Sequence, residues 1–371
     1  MKYTITKEDF YEICQRYDLV GANIIVFDKD ESVNYQYGYQ DVEEQKETSI
    51  NTIYRIASIS KTVLAIGVMK LVEDGLLDLD EDISTYLGFN VRNPNHPECK
   101  ITTRMLMTQT SSITDGFDDE ELTNETRVDG YNGVNGRHLG LPLTTLLVPN
   151  DSVYYTDLTF DKRAPGTHFE YSNFGCGILA CIVEKVANQN FDEFMKKTVF
   201  DKLDIDGSYY AYNIKHQDDI ASLYRAGGKI TGKQFVGRAY KKAPIGESYL
   251  GPAGGLFISI HNLSKIMRSF WKKEFQVLKD ETIKQMMEVN WVGECEEYKK
   301  KALQMMVIDE LVPIRLWGHF GTAYGLRSMM LFNKELETGV CFITNGGNTS
   351  ERCEHFPKVH YDIIKKIWGR N

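Results

Sequence analysis

Ser58-Ile59-Ser60-Lys61, running on through Thr62-Val63-Leu64-Ala65-Ile66-Gly67-Val68-Met69-Lys70-Leu71-Val72, is the stretch whose reading decides this chain. It is apolar nearly all round at helical spacing, so it predicts a helix buried on every side. Gly75 follows as a C-cap, and Asp78-Leu79-Asp80-Glu81-Asp82 marks a surface exit. At the head of this helix stand a hydroxyl, Ser58, and an amine, Lys61, one turn apart on the same side. Ser58 then lies at the positive end of the helix dipole, beside backbone N–H groups without intrahelical partners. An apolar setting lowers the pKa of Lys61 toward that of a usable base. An alcohol next to a base is an activated nucleophile for acyl transfer.

Ser-x-x-Lys alone is a weak signal, since about one or two matches arise by chance in a chain of this length. A second match, Ser269-Phe270-Trp271-Lys272, falls in the last turn of a surface helix beside Lys273 and Glu274 and reads as a solvated face. The competing reading of Ser58 is an ordinary helix N-cap.

Two distant patches complete the first. Tyr171-Ser172-Asn173 follows the turn-rich Ala164-Pro165-Gly166 and opens a helix over 173–188. A phenol near an ammonium relays a proton, and an amide holds a substrate carbonyl; the plainer reading is an aromatic at a helix entry with Asn173 as its cap. His319-Phe320-Gly321 falls between β-rich runs at 312–318 and 324–333, where a glycine lets a substrate lie against strand backbone. The Thr322 N–H just beyond can join that of Ser58 in an oxyanion hole. His138-Leu139-Gly140 repeats the His-x-Gly pattern but precedes Tyr171 in a polar stretch, and reads as loop.

Strand patterns at 22–27 and 33–37 return only at 302–309, 312–318, 324–333 and 338–344, with amphipathic helices at 7–17 and 355–368. Between them, helical segments (102–108, 173–188, 191–203) alternate with long polar stretches, the longest from Asp115 to Ala164. This order predicts an α+β fold: one antiparallel sheet built from both chain ends and flanked by the terminal helices, with a helical lobe beside it. The sheet domain takes residues 1–95 and 246–371, and the lobe takes 96–245, with the 117–163 loop shaping specificity.

The 371 residues carry a net charge of −9, against the basic face that nucleic acid requires. Seven cysteines without a CxxC pair and eight histidines without HExxH give neither a disulfide framework nor a metal site, so no metal or cofactor is expected. No 18-residue apolar run offers a membrane span, and the N-terminus lacks the apolar core of a signal peptide, so the chain reads as cytoplasmic. The expected partner is a small-molecule acyl substrate; the oligomeric state is not legible.

Together the three patches resemble the signature motifs of the serine β-lactamase and penicillin-binding protein superfamily, nearest its class C β-lactamase-related hydrolases, the branch of esterases and D-peptidases. Tyr54-Arg55-Ile56-Ala57, Pro165-Gly166, Gly251-Pro252-Ala253-Gly254-Gly255-Leu256 and Gly318-His319-Phe320-Gly321 with Tyr324-Gly325 extend the likeness from about residue 20 to the C-terminus. The resemblance implies Ser58 as nucleophile, Lys61 as its base and Tyr171 as partner in proton transfer. It implies Asn173 holding Lys61 and substrate, with His319 and Gly321 lining a cleft between sheet and lobe.

Two departures qualify the likeness. Relatives carry Lys-Thr-Gly or Lys-Ser-Gly at the third patch, where cation and hydroxyl bind a substrate carboxylate. His319 is only partly charged at neutral pH and Phe320 has no hydroxyl. The expectation is weak β-lactam recognition and a less anionic acyl group, with Arg315 or Arg327 as candidate carboxylate anchors. Thr108-Gln109-Thr110-Ser111-Ser112 departs from a His-Thr-Ser-Gly-like phrase and reads as structural. The leading function is a serine hydrolase forming an acyl-enzyme on Ser58, with an ester, amide or small D-amino-acid peptide as substrate. The second reading is a non-catalytic sensor or binding protein, which has no need of an activated nucleophile. An α/β-hydrolase is disfavoured, because Gly-x-Ser-x-Gly does not occur.

Overall fold

A computed structural model describes residues 1–116, 141–149, 154–225, 228–237, 243–293 and 299–369. Most of the 117–163 loop, and His138 with it, lies outside the described residues. Strands β1 (Gly21–Asp28), β2 (Glu31–Asp41) and β3 (Lys46–Glu47) come from the N-terminal end, and β4 (Ile53–Arg55) leads into the helix Ile59–Glu73. Four short strands follow in mid-chain: β5 (Gly207–Ser208), β6 (Leu223–Arg225), β7 (Gly228–Ile230) and β8 (Phe257–Ser259). The rest are β9 (Trp291–Val292), β10 (Lys300–Ala302), β11 (Met305–Ile308), β12 (Leu316–Ala323), β13 (Leu326–Asn333), β14 (Thr338–Thr344), β15 (Arg352–Cys353) and β16 (Phe356–Pro357).

Nine of these form one antiparallel sheet in the order β3-β2-β1-β14-β13-β12-β11-β10-β9. The two chain ends meet at its centre, where Ala22 pairs with Thr344 and Asp28 with Thr338. Both faces of the central strands are covered, which is why β1 and β14 read as unbroken apolar runs. Ile24 and Val26 of β1, with Val340 and Phe342 of β14, pack under the terminal helices Lys7–Arg16 and Lys358–Trp368. Tyr17 Oη donates to Asp362 at 2.6 Å, and Lys366 meets Asp9 at 2.8 Å, fastening those helices together. Residues one step along, Ile25, Phe27, Cys341 and Ile343, face the opposite core, as period-two alternation requires.

That opposite core contains the helix Ile59–Glu73 and its neighbours Thr103–Thr108, Asn173–Ala187 and Phe191–Met195. Ile59 through Met69 are all buried, matching the all-round apolar pattern. The helix closes on Gly75 at φ +70°, with Leu76 N–H bonded to Leu71 O and Gly75 N–H to Val72 O. This is a Schellman closure, in which a left-handed residue satisfies the last carbonyls.

Three expectations shift. The 191–203 helix stops at Met195 and continues as a wider turn to Phe200 and a 3-10 turn to Leu203. The strand expected at 312–318 instead spans 316–323, so His319-Phe320-Gly321 lies inside β12 rather than in a break. The true break is the two-residue turn Tyr324-Gly325, both at positive φ, which closes the β12–β13 hairpin. The Ser269 hydroxyl is not on a solvated face: Ser269 is buried and donates to Ile266 O at 2.7 Å. Lys272 turns to Asp30 and Glu337, so that Ser-x-x-Lys forms no pair.

Candidate active site

Ser58 stands at a sharp reversal. Ala57 before it holds the left-handed φ of +52°, which is costly for a residue bearing a Cβ, while Ser58 itself is right-handed at φ −68°. The reversal is locked from behind: Ser60 Oγ donates to Ala57 O at 2.6 Å and accepts from Leu256 N–H at 3.1 Å. Ser58 does not spend its hydroxyl on capping the helix. Its Oγ lies 3.2 Å from Lys61 Nζ.

Lys61 is fully buried, and its amine makes two shorter bonds, 2.8 Å to Asn173 Oδ1 and 2.8 Å to Ala253 O. Burial disfavours the ammonium, and the pKa falls from 10.5 to about 8; nearby Arg55 pushes the same way, while Cys176 and Asp115 oppose it. The Tyr171 ring lies over this amine, 4.8 Å from centroid to Nζ.

Asn173 is available to Lys61 because its neighbour caps the helix. Ser172 Oγ accepts from Gly175 N–H at 2.8 Å, so Ser172 is the N-cap and Asn173 the first helical residue. Gln109, at φ +62°, fixes the approach: its Oε1 accepts from Ser172 N–H at 2.8 Å and its backbone O from Glu170 N–H at 2.8 Å. The Thr108–Ser112 segment is therefore structural in a way that reaches the site.

The third wall is β12. Its outer edge pairs with β11 only from Leu316 to Gly318, so no described strand covers the edge from His319 to Ala323. The strand is pressed against the segment that leads into Ser58. A Cβ on Gly321 would come within 2.5 Å of Ile56 O, 2.2 Å of Ser328 Oγ and 3.1 Å of Ala57 Cβ. Ser328 Oγ also donates to Ile56 O at 2.7 Å.

His319 is fully buried, with its ring 6.3 Å from that of Tyr171. Burial, with the cations of Lys301 and Lys61, drives its pKa well below 6.5, so it is neutral rather than partly charged. Its Nδ1–H donates to Phe320 O at 2.6 Å, which places the other ring nitrogen, Nε2, as the one without a hydrogen in the neutral ring.

Phe320 does not face the cleft. It stacks on His360 at 4.9 Å and meets Phe356 edge-on at 5.6 Å, on the terminal-helix side of the sheet. Alternation explains it, since 319 and 321 share one face and 320 the other. The Thr322 side chain is on that far side too, where its hydroxyl accepts from Arg327 at 2.5 Å. Arg327 also donates to Thr349, and Arg315 is held by Asp309 at 2.5 and 3.0 Å, so neither candidate anchor points into the cleft.

Reading the sequence did not find Asp115 or Ala253. Asp115 accepts from Asn173 Nδ2 at 2.7 Å, Phe174 N–H at 2.8 Å and Ser172 Oγ at 3.2 Å. Ala253 contributes a backbone carbonyl, which has no side-chain signature. Its one sequence signal was the glycine-rich run around it.

Among the described residues one cluster, Asp161, His168 and Glu170, gathers three metal-ligand atoms within 4.8 Å. Arg163 already occupies it, 2.9 Å from Asp161 and 3.7 Å from Glu170. Among the same residues no helix is long and apolar enough to cross a membrane.

Protein flp of Staphylococcus aureus (strain N315) is 29% identical over 182 residues, covering 49% of this chain and 33% of that protein. Penicillin-binding protein 4* of Bacillus subtilis (strain 168) is 23% identical over 199 residues, covering 52% and 38%. This chain thus spans well under half the length of these curated relatives. The octameric penicillin-binding protein homologue from Pyrococcus abyssi superposes with a TM-score of 0.70 at 20% identity, over 96% of this chain and 75% of that one. D-amino acid amidase from Ochrobactrum anthropi SV3 superposes with a TM-score of 0.70 at 17% identity, over 97% and 98%. These likenesses establish a β-lactamase/transpeptidase-like α+β fold. The family profile described as Beta-lactamase matches residues 8–361, and the chain belongs to that family.

Proposed function

We propose that this protein is a serine hydrolase that passes through an acyl-enzyme on Ser58. Neutral Lys61 takes the Ser58 proton as the oxygen attacks a substrate carbonyl. The N–H groups of Ser58 and Thr322 receive the oxyanion. Tyr171 gives its phenol proton to the leaving group and takes in its place the proton that Lys61 received, and water then cleaves the ester bond on Ser58, adding its hydroxyl to the acyl carbon and its proton to the serine oxygen. Asn173 holds Lys61 and a substrate amide, and His319 and Gly321 form the cleft wall. The observation that carries this reading is the buried Lys61 amine with its pKa near 8, 3.2 Å from the Ser58 oxygen and under the Tyr171 ring.

The third patch places no cation in the cleft, because His319 is neutral and Phe320 faces away. That supports acyl groups that bear no carboxylate, as esters, amides or small D-amino-acid peptides, over β-lactams. D-amino acid amidase from Ochrobactrum anthropi and D-stereospecific amidohydrolase from Streptomyces sp. share the fold, which makes D-amino-acid amides and esters the first substrates to try.

The test is labelling with a fluorophosphonate, with the adduct located by mass spectrometry, beside turnover of an activated acetyl ester. Label on Ser58, lost in Ser58→Ala, is the expected result. Label elsewhere, or none, overturns the proposal in favour of a binding protein. Nitrocefin in parallel checks the substrate class, since hydrolysis faster than that of the acetyl ester would contradict the reading of His319-Phe320-Gly321.

A further inference from the structure

We infer that Asp115 is a positioning residue for acylation: its carboxylate turns the Asn173 amide so that Lys61 keeps its lone pair for Ser58. The inference rests on the acyl-enzyme reading above and deepens it.

The argument is a count of donors and acceptors. An ionised carboxylate only accepts, so the Asn173 group facing Asp115 at 2.7 Å must be the NH2 end. That assignment sends Oδ1, a pure acceptor, toward Lys61 at 2.8 Å. The second partner of Lys61, the Ala253 carbonyl at 2.8 Å, is likewise only an acceptor. A neutral amine has two hydrogens and one lone pair. With both hydrogens taken by these two oxygens, the lone pair is left to the third neighbour, Ser58 Oγ at 3.2 Å. In the reverse orientation Asn173 would present N–H to Lys61. It would then occupy the lone pair and silence the base.

Asp115 is well placed to enforce this. It also accepts from Phe174 N–H at 2.8 Å and Ser172 Oγ at 3.2 Å, at the positive end of the helix Asn173–Ala187. Its charge favours the Lys61 ammonium, one of several groups that set that pKa: Cys176 acts in the same sense, Arg55 opposes, and Tyr171 and His319 stand across the site.

The experiment compares Ser58 labelling rates and ester kinetics of the whole protein with those of Asp115→Asn, Asn173→Ala and the double variant. Asp115→Asn permits either amide orientation and removes the charge. The expected loss in kcat is roughly 10- to 100-fold with KM little changed, and the ascending limb of the pH–rate profile moves to lower pH. The double variant is expected to be no slower than Asn173→Ala, because both residues act through one chain of contacts. Thr6→Ala controls for stability: it removes the cap of the helix Lys7–Arg16, on the far side of the sheet, and lowers Tm while the labelling rate stays near that of the unaltered protein. An Asp115→Asn protein labelled at the unaltered rate, or a double variant whose losses multiply in full, overturns the inference while leaving the acyl-enzyme intact. An unaltered protein that takes no label on Ser58 overturns both.

Discussion

The pH dependence of the proposed acylation follows directly from where Lys61 sits. At pKa 10.5, roughly one Lys61 in three thousand would be neutral at pH 7; at the value near 8 set by burial, roughly one in eleven is. The fold therefore raises the concentration of active base about 300-fold, worth about 3.4 kcal/mol of barrier if the base acts before attack. The expected log kcat/KM for an uncharged acyl ester climbs with unit slope from pH 6 and levels near pH 8. Stability moves the same way in a different window. The folded pKa is depressed, so between about pH 8 and 10.5 the unfolded chain holds a proton that the folded one has lost, and stability rises with pH there. The assay is steady-state hydrolysis across pH 6 to 10, paired with urea unfolding at pH 7 and 10. A profile flat from pH 6 to 9, or one still climbing at pH 10, would refute the assignment of Lys61 as a buried base.

Three further outcomes are expected. Gly321→Ala drives a Cβ against Ile56 O and Ser328 Oγ, so β12 must back away from Ser58; a stability loss of roughly 1–3 kcal/mol in urea unfolding should accompany a fall in kcat/KM of roughly 100-fold. His360, fully buried and without a hydrogen-bond partner for either ring nitrogen among the described residues, has its pKa pushed down to about 3. Folded protein thus lags behind the unfolded chain in taking up a proton below pH 6.5, costing about 1.4 kcal/mol per pH unit as pH falls; His360→Leu should flatten the loss between pH 6.5 and 4.5, and parallel losses in both proteins would count against it. Arg327→Gln, on the far side of the sheet, should leave KM for a carboxylate-bearing ester unchanged, and a raised KM would return Arg327 to the cleft.

Much of this was legible in the sequence where a local rule was strong. The all-round apolar run of 59–72 could only be an interior helix, and the strand patterns at the two chain ends could satisfy their edges only by pairing with each other. Ser58, Lys61, Tyr171, Asn173 and His319, singled out from three separate patches, lie close together. Phe320 went astray although the signal was present, because within a strand alternate residues take opposite faces and His319 and Gly321 had claimed the cleft side. Ending the β-run at 318 hid that alternation, and Gly321 is small because another backbone lies against it. Asp115 was not legible. Its effect passes through Asn173, and nothing local marks an aspartate that accepts from residues 57 to 59 positions away.

The three corners share a structural logic. Each functional group sits where a regular element begins or runs out of partners, and in each case a neighbour assumes the structural duty. Ala57 adopts the left-handed turn and Ser60 ties it down, so Ser58 need not cap its helix. Ser172 caps the next helix, so Asn173 can meet Lys61. β11 ends its pairing at Gly318, so among the described residues no strand covers the β12 edge beyond it. A site arranged this way depends on supporting residues as much as on reacting ones. Substitutions at Ala57, Ser60 or Gln109 should therefore lower kcat more than their cost in stability alone would imply, because they move atoms whose spacing sets the rate.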